Sequence, residues 1–265
     1  MASTPEPFGL DSRALDISLP AAALLVAGGL VAGVVNTLAG GGSLLTVPLL
    51  VLLGLPGGVA NGTNRVGIVL QCLAAAWRFH REGVLELRSV LQATAPVVAG
   101  SLIGALWVTR VADSTFERIF GVLMLLLLVP TLRQVSGRAK PGSEAGRSWH
   151  PALATLAFFA VGLYAGAFQA GVGIPLLLAL VHAGHDVVRA NAIKVSVIAA
   201  ATLAAVPIFI VQGQIAWLPA CLLAVGFTLG GSLGARFAVR GGERVVRPVL
   251  AVAVVALAAR MLGLF

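Results

Sequence analysis

Apolar runs of helix length follow one another along most of this chain, from Leu19 to Leu264. Such a run can cross the hydrocarbon core of a bilayer as a single helix. Only 11% of the 265 residues are charged, whereas about a quarter are charged in a soluble domain. Because lipid offers the backbone no hydrogen bonds, a spanning helix satisfies its own backbone groups. The sequence therefore predicts an all-α polytopic membrane protein.

The polar start of the chain and its charge pattern indicate where such a protein lies. Residues 1–18 form a tail with three acidic residues against one arginine, so we expect no cleaved secretory signal. The net charge of +8 comes from Lys and Arg in the loops between apolar runs, which is the positive-inside pattern. We predict a multi-pass protein of the cell membrane in contact with lipid, and no nucleic-acid partner.

The two halves of the chain repeat one another. A shift of 130 residues aligns Asn61 with Asn191, and it also aligns Ile68 with Ile198, Phe79 with Phe209, Gly100 with Gly230, Gly104 with Gly234 and Arg110 with Arg240. Upstream, GLVAG at 29–33 matches GLYAG at 162–166, and we expect Pro48 to match Pro175 after a shorter connection. A fixed register of this kind is typical of internal repeats.

Each half contains five apolar segments. The first repeat, 19–132, has segments at about 19–39, 43–55, 61–79, 89–109 and 116–132, and the second, 151–265, has them at about 151–168, 172–183, 190–211, 216–239 and 245–264. The linker between them, 133–150, is rich in Gly, Ser and charge, and we expect it to be flexible and cytoplasmic. The second segment of each half is too short to cross a bilayer comfortably. Short, interrupted segments at matching positions point to a transporter site.

Equivalent loops carry opposite charge bias. Arg78, Arg81 and Arg88 place one first-half loop in the cytoplasm, whereas the matching loop at 211–217 has no charge and is expected outside. The predicted fold is therefore two inverted-topology repeats of about five segments each, with short interrupted helices near the midplane. If each interrupted pair is one re-entrant unit, the chain has eight spans.

The segment NTLAGGGSLLTVP, at 36–48, breaks an otherwise helical run with three glycines and a proline. Ser43 is expected to cap the next helix, starting at Leu44. A helix N-terminus presents free N–H groups and a positive dipole end, which suits an anion. The second-half partner is QAGVG at 169–173. The alternative is that these glycines only allow close helix packing.

The segments ANGTNR at 60–65 and ANAIK at 190–194 place amides and cations at the start of the third span of each half. Asn64 and Lys194 are equivalent in register. The apolar interiors of the predicted spans contain no Asp or Glu that would pair with Arg65 or Lys194. Charged residues within spans usually face a cavity or a partner, so an anionic substrate would balance these two. The alternative is that both side chains extend to the membrane surface.

Other chemistries receive little support. No Cys and His residues have metal-ligand spacing, and no histidine within a predicted span could activate Ser43 as a nucleophile. We therefore expect no enzyme activity, metal or cofactor, and no visible proton path. A membrane scaffold is a further alternative, but it leaves the paired breaks and the cations unexplained.

The chain resembles the sulfite exporter TauE/SafE family of membrane transporters. The resemblance rests on GVVNTLAGGGSLLTVPLLVLLGLPGGVANGTN at 33–64 and on its weaker echo from 166 to 194. The second half departs from the pattern, because QAGVG is shorter than the usual Gly-rich run and Ile193 stands where Thr is expected. The resemblance covers about 20–264 and implies export of small sulfur-containing anions, such as sulfite or organosulfonates like sulfoacetate, by alternating access.

The alternatives within transport are a carboxylate or an inorganic anion such as sulfate. A homodimer is compatible with the sequence but is not indicated by it. Carried over by motif position, the substrate-binding residues of the first half are Asn36, Gly41, Gly42, Ser43, Asn61, Thr63, Asn64 and Arg65. Those of the second half are Gln169, Gly171, Asn191 and Lys194.

Overall fold

The computed structural model describes residues 17–133 and 151–239, and within these ranges the chain forms nine helices and no strand. The helices are α1 (Leu19–Ala39), α2 (Ser43–Leu52), α3 (Gly57–Arg81), α4 (Leu87–Val108), α5 (Asp113–Arg133), α6 (Pro151–Ala167), α7 (Gly173–His182), α8 (Val187–Val211) and α9 (Trp217–Val239). The all-helical prediction is confirmed. Most of the predicted tail and linker, and the segment at 245–264, lie outside the described residues.

The helix lengths agree with a chain that crosses a membrane several times. Among the described residues, four helices are long and apolar enough to span, namely 19–38, 87–108, 187–211 and 217–239. By contrast, α2 and α7 have only 10 residues each, as expected for the second segment of each half. The two short helices therefore begin and end inside the bundle or at one of its faces.

The third helix of each half begins earlier than predicted, and a carboxylate accepts backbone N–H groups at each start. α8 begins at Val187 because the Asp186 carboxylate accepts hydrogen bonds from the backbone N–H groups of Val188 and Arg189. At the start of α3, the Gly58 N–H donates to Asp113 Oδ1 at 2.7 Å. That acceptor comes from α5, far along the chain.

Close helix packing depends on glycine at two equivalent crossings. α1 packs most extensively on α9, and α6 on α4. A Cβ added to Gly33 of α1 would lie 2.7 Å from the Phe227 carbonyl oxygen of α9, and one added to Gly104 of α4 would overlap the Leu163 carbonyl oxygen of α6. Backbones approach this closely where membrane helices lack side chains. Glycine at these two positions therefore sets how closely the paired helices approach.

The register-equivalent helices α3 and α8 run antiparallel. The loop after α8 lies on the start of α3, where the Ala216 N–H donates to Thr63 Oγ1 at 2.9 Å. The loop before α8 meets the loop after α3, where His185 Nδ1 lies 3.5 Å from Glu86 Oε2. This is the relation that inverted repeats require. The orientation of each loop relative to the membrane stays a prediction.

The helix bounds also correct one expected match between the halves. α2 begins at Ser43 and α7 at Gly173, which is the same 130-residue separation as between α3 and α8. Pro48 is therefore equivalent in register to Leu178, and the expected match with Pro175 is wrong. The shorter connection lies before α7, between the GLYAG segment and the start of the helix.

Candidate functional site

The two predicted interruptions are present, and each depends on a left-handed backbone conformation. The first break, residues 40–42, follows α1, where Gly40 has φ 79°. The second break, residues 168–172, follows α6, where Gln169 has φ 59° and Gly171 has φ 63°. Glycine adopts such angles without steric cost, whereas Gln169 pays a penalty. Its side-chain amide accepts a hydrogen bond from Arg65 and donates one to Thr202, which helps to hold it there.

The two breaks lie against each other in the protein interior. A Cβ added to Gly40 would overlap the backbone of Gly173, the first residue of α7. The first break thus brings the buried starts of α2 and α7 into one region. Among the described residues, no acceptor receives the backbone N–H of Ser43 or of Gly173. Two helix N-termini, whose first N–H groups have no acceptor among the described residues, therefore lie in one region.

The expected role of Ser43 as a helix cap is wrong. The capping position is Gly42, which has helical angles and no side-chain cap, and Ser43 is the first residue inside α2. Its Oγ instead accepts a hydrogen bond from Asn64 Nδ2 at 3.0 Å. Thr46 Oγ1 donates to Asn64 Oδ1 at 2.6 Å. Asn64 thus fastens the start of α2 to α3.

A second amide network holds the end of α1 to α3. Asn36 Nδ2 donates to Gln71 Oε1 at 2.5 Å, and Gln71 Nε2 donates to Thr37 Oγ1 at 2.7 Å. Asn36 Oδ1 also accepts the Gly42 N–H at 3.4 Å, which ties the first break back to α1. Neither Gln71 nor Thr37 was identified from the sequence. The available signal was a glutamine inside an apolar helix, which is costly unless its amide is paired.

Lys194 binds the C-terminal end of α1, a helix of the other half. Its Nζ donates to the carbonyl oxygens of Thr37 at 2.9 Å and Asn36 at 3.4 Å, and to Asn191 Oδ1 at 2.7 Å. Carbonyl groups at a helix C-terminus have no partner within the helix and carry partial negative charge. A buried ammonium stabilises this end of α1.

Arg65 binds the C-terminal end of α6 in the same way. Its two terminal nitrogens donate to the carbonyl oxygens of Ala165, Gly166 and Ala167 and to Gln169 Oε1, at 2.5–3.3 Å. The guanidinium also lies over the Phe209 ring, with Cζ 4.3 Å from the ring centroid. Gln169 Nε2 in turn donates to Thr202 Oγ1 at 2.9 Å. Neither Phe209 nor Thr202 was identified from the sequence.

The position of these cations corrects two expectations. Both side chains are fully buried, so neither extends to the membrane surface. Both lie about two turns inside their helices, because α3 begins at Gly57 and α8 at Val187. Each cation contacts the first helix of the opposite half, so the two halves are joined by a pair of equivalent clamps.

Three buried polar atoms near the breaks have no hydrogen-bond partner among the described residues, namely Asn61 Oδ1, Arg65 Nε and Asn191 Nδ2. Asn61 uses its Nδ2 to donate to the Ala167 carbonyl oxygen at 2.9 Å. Such atoms usually have a partner, because leaving a buried polar group unpaired costs about 1–3 kcal/mol. Unpaired atoms beside two free helix ends are typical of a site that receives a polar ligand.

The remaining predicted residues have different surroundings. Thr63 points away from the breaks and binds the loop after α8. Gly41 is buried within the first break. A Cβ on Gly42 would overlap the Ala32 carbonyl oxygen, and one on Gly171 would lie 2.7 Å from Leu127 Cδ1. Gly42 and Gly171 therefore serve close packing in this conformation, as the alternative interpretation of the glycines holds.

The electrostatic balance of the region is positive. The buried polar side chains of residues 17–133 and 151–239 include Arg65 and Lys194 but no Asp or Glu. The acidic residues of α5, Asp113 and Glu117, are only partly buried and lie near the start of α3. Each helix end carries about half a unit charge, so the ends of α1 and α6 offset the starts of α2 and α7. Arg65 and Lys194 add two buried cations to this interior.

The region is closed in this conformation. The charged and amide side chains at the breaks are at most 4% exposed. A solute can reach them only if helices move apart.

The chain matches the family described as Sulfite exporter TauE/SafE over residues 25–261. It is 27% identical to a probable membrane transporter protein ORF9 of Sinorhizobium sp, over 94% of this chain and 95% of the relative. It is 28% identical to a probable membrane transporter protein of Haemophilus influenzae, over 93% of this chain and 96% of the relative. It is 26% identical to the probable membrane transporter protein YunE of Bacillus subtilis, over 80% of this chain and 86% of the relative. No solved structure is significantly similar to this chain.

Proposed function

The chain belongs to the sulfite exporter TauE/SafE family, and from that premise we propose that it exports small sulfur-containing anions across the plasma membrane. Membrane transport is the activity in the names of its relatives as well as of the family. The substrate class comes from the family description, since the relatives' names state no substrate. Sulfite and organosulfonates such as sulfoacetate are the proposed substrates.

The observation that supports an anion most directly is the buried start of two helices beside buried cations. The N–H groups that begin α2 and α7 have no acceptor among the described residues, and Arg65 and Lys194 are fully buried in the same interior. Helix N-termini and cations both favour negative charge nearby. A bound anion would accept hydrogen bonds from these N–H groups.

The donors around the breaks suit an oxyanion. The free N–H groups at the starts of α2 and α7 resemble the helix ends that hold anions in other proteins. In discontinuous membrane helices, such ends commonly face anionic substrates. Sulfite and sulfonates present three oxygens, so one molecule could accept hydrogen bonds from both helix ends and from a side-chain amide.

Transport would require alternate opening of the closed region. The Lys194 and Arg65 clamps join each half to the first helix of the other half. Movement of one half against the other would loosen either the Lys194 or the Arg65 clamp. The anion would then be exposed to one side of the membrane. This is alternating access around a fixed site.

The experiment that tests this proposal is anion binding to the detergent-purified protein by isothermal titration calorimetry. Sulfite, sulfoacetate, sulfate and acetate are titrated into the wild type, Lys194→Ala and Arg81→Ala. Arg81 is an exposed cation at the end of α3 and serves as the matched charge control. We expect saturable sulfite or sulfoacetate binding that Lys194→Ala weakens about tenfold or more, equivalent to about 1.4 kcal/mol.

The controls separate a lost site from a lost fold. Arg81→Ala should bind like the wild type, and all three proteins should elute as single species. No saturable binding of any anion by a folded wild type would contradict the anion site. Binding of acetate alone would contradict the sulfur-containing class and leave a carboxylate as the substrate.

A further inference from the structure

The two register-equivalent asparagines of the site present opposite chemistry to their surroundings. Asn61 donates from Nδ2 to the Ala167 carbonyl oxygen at 2.9 Å, which leaves its Oδ1 unpaired. Asn191 accepts at Oδ1 from Lys194 Nζ at 2.7 Å, which leaves its Nδ2 unpaired. One position thus offers an acceptor and the other a donor.

The orientation of the Asn191 amide is fixed by its neighbour. An ammonium group has three donors and no acceptor. The amide must therefore turn its oxygen, and not its NH2 group, toward Lys194. The NH2 group then points away from the ammonium into the interior, where Asn191 is only 1% exposed. A flip of this amide would place two donors face to face and lose the 2.7 Å contact.

Asn191 is linked to the buried start of α7 through Lys194. Lys194 is one helical turn from Asn191, and its Cδ lies 3.2 Å from the Cβ position of Gly173, the first residue of α7. The Gly173 N–H has no acceptor among the described residues. A fixed side-chain donor, an ammonium and a free helix N-terminus therefore converge within one small buried region.

We propose that Asn191 determines specificity by donating a hydrogen bond from Nδ2 to an oxygen of the bound anion. Its equivalent Asn61 instead holds the end of α6. This inference rests on the proposed function and gives the two asparagines unequal roles, with the side-chain amide contact made by the second half. The ligand must bring an unprotonated oxygen to this position, as sulfite and sulfonates do.

The decisive variant is Asn191→Asp. Aspartate has the shape of asparagine and keeps an oxygen for Lys194, but it replaces the NH2 donor with a second oxygen. If Asn191 only holds Lys194, the variant keeps its stability, and any loss of anion affinity comes from its added negative charge, which Asn191→Leu lacks. If it donates to the anion, affinity falls while the melting temperature does not.

The measurement is calorimetric titration with sulfite and sulfoacetate, together with the melting temperature of each protein. We expect Asn191→Asp to bind about tenfold or more weakly and to melt no lower than the wild type. Asn191→Leu, which has a similar volume and no charge, should also bind more weakly. The control is Gln214→Leu, which alters a buried amide with an unpaired atom outside the breaks and should leave affinity unchanged.

The outcomes distinguish this inference from the proposed function. Wild-type affinity in Asn191→Asp would overturn the inference and leave the anion site standing. Wild-type affinity in Asn191→Leu would also overturn it, because the loss in Asn191→Asp would then reflect added negative charge. If Asn191→Asp does not fold, the anion affinity of Asn191→Leu alone tests the inference. A folded wild type that binds no anion would overturn both.

Discussion

The contact between the two breaks makes a quantitative prediction about Gly40. Gly40 has φ 79°, and a Cβ at this position would overlap the backbone of Gly173. Alanine would therefore suffer twice, from the left-handed conformation and from the collision. Gly54 is a matched control, because it has φ 93° and no atom within 4 Å of its Cβ position.

The structure sets the size of the difference. A left-handed conformation costs a residue with a Cβ roughly 1–2 kcal/mol, and forcing a methyl group into packed structure costs about 1–3 kcal/mol more. Gly54→Ala should thus lower the free energy of unfolding by roughly 1–2 kcal/mol and Gly40→Ala by roughly 2–5 kcal/mol. One kcal/mol corresponds to about 2–4 °C in a protein of this size class, so the excess for Gly40→Ala is about 2–12 °C.

The assay is thermal unfolding of both variants in the same detergent, followed by intrinsic tryptophan fluorescence and by recovery of the monodisperse peak. Gly40→Ala should melt clearly below Gly54→Ala, and it should also lose anion affinity because the starts of α2 and α7 are displaced. Equal melting temperatures for the two variants would refute the close contact between the breaks.

Two further predictions concern contacts outside the breaks. Thr63→Val keeps the side-chain shape but removes the acceptor of the Ala216 N–H. The melting temperature should fall by the equivalent of about 1 kcal/mol. An unchanged melting temperature would show that this contact contributes nothing. Glu86→Gln weakens a partly exposed contact with His185 and should change the free energy of unfolding by less than about 1 kcal/mol. A larger loss in thermal unfolding would mean that this loop contact joins the halves strongly.

The helical architecture and the breaks could be predicted because they depend on local composition. Apolar length identifies spanning helices, and the glycines at 40–42 interrupt one of them. Helix starts were less predictable where the cap comes from elsewhere, as with Asp113 at the start of α3. Ser43 was predicted to cap α2 from outside the helix, but it is the first residue inside it. Its hydroxyl group accepts a hydrogen bond from Asn64 on α3, a partner that the local sequence does not reveal.

The residues of the site could be predicted more readily than their partners. Buried cations and amides in apolar runs are costly, so Arg65, Lys194 and both asparagines were identifiable from composition alone. Their binding to the ends of α1 and α6 was not identifiable, because it depends on how the halves pack. The partners of Gln71 were not identifiable either, because they lie 34 and 35 residues earlier in the chain.

The central claim is that an anion moves through the region where the two breaks meet. The most direct test is efflux of radiolabelled sulfoacetate from proteoliposomes containing the wild type or Lys194→Ala, beside protein-free vesicles. We expect saturable efflux from the wild type, competition by unlabelled sulfite but not by acetate, and loss of efflux in Lys194→Ala. Wild-type efflux no faster than from protein-free vesicles, or equal efflux in Lys194→Ala, would contradict the claim.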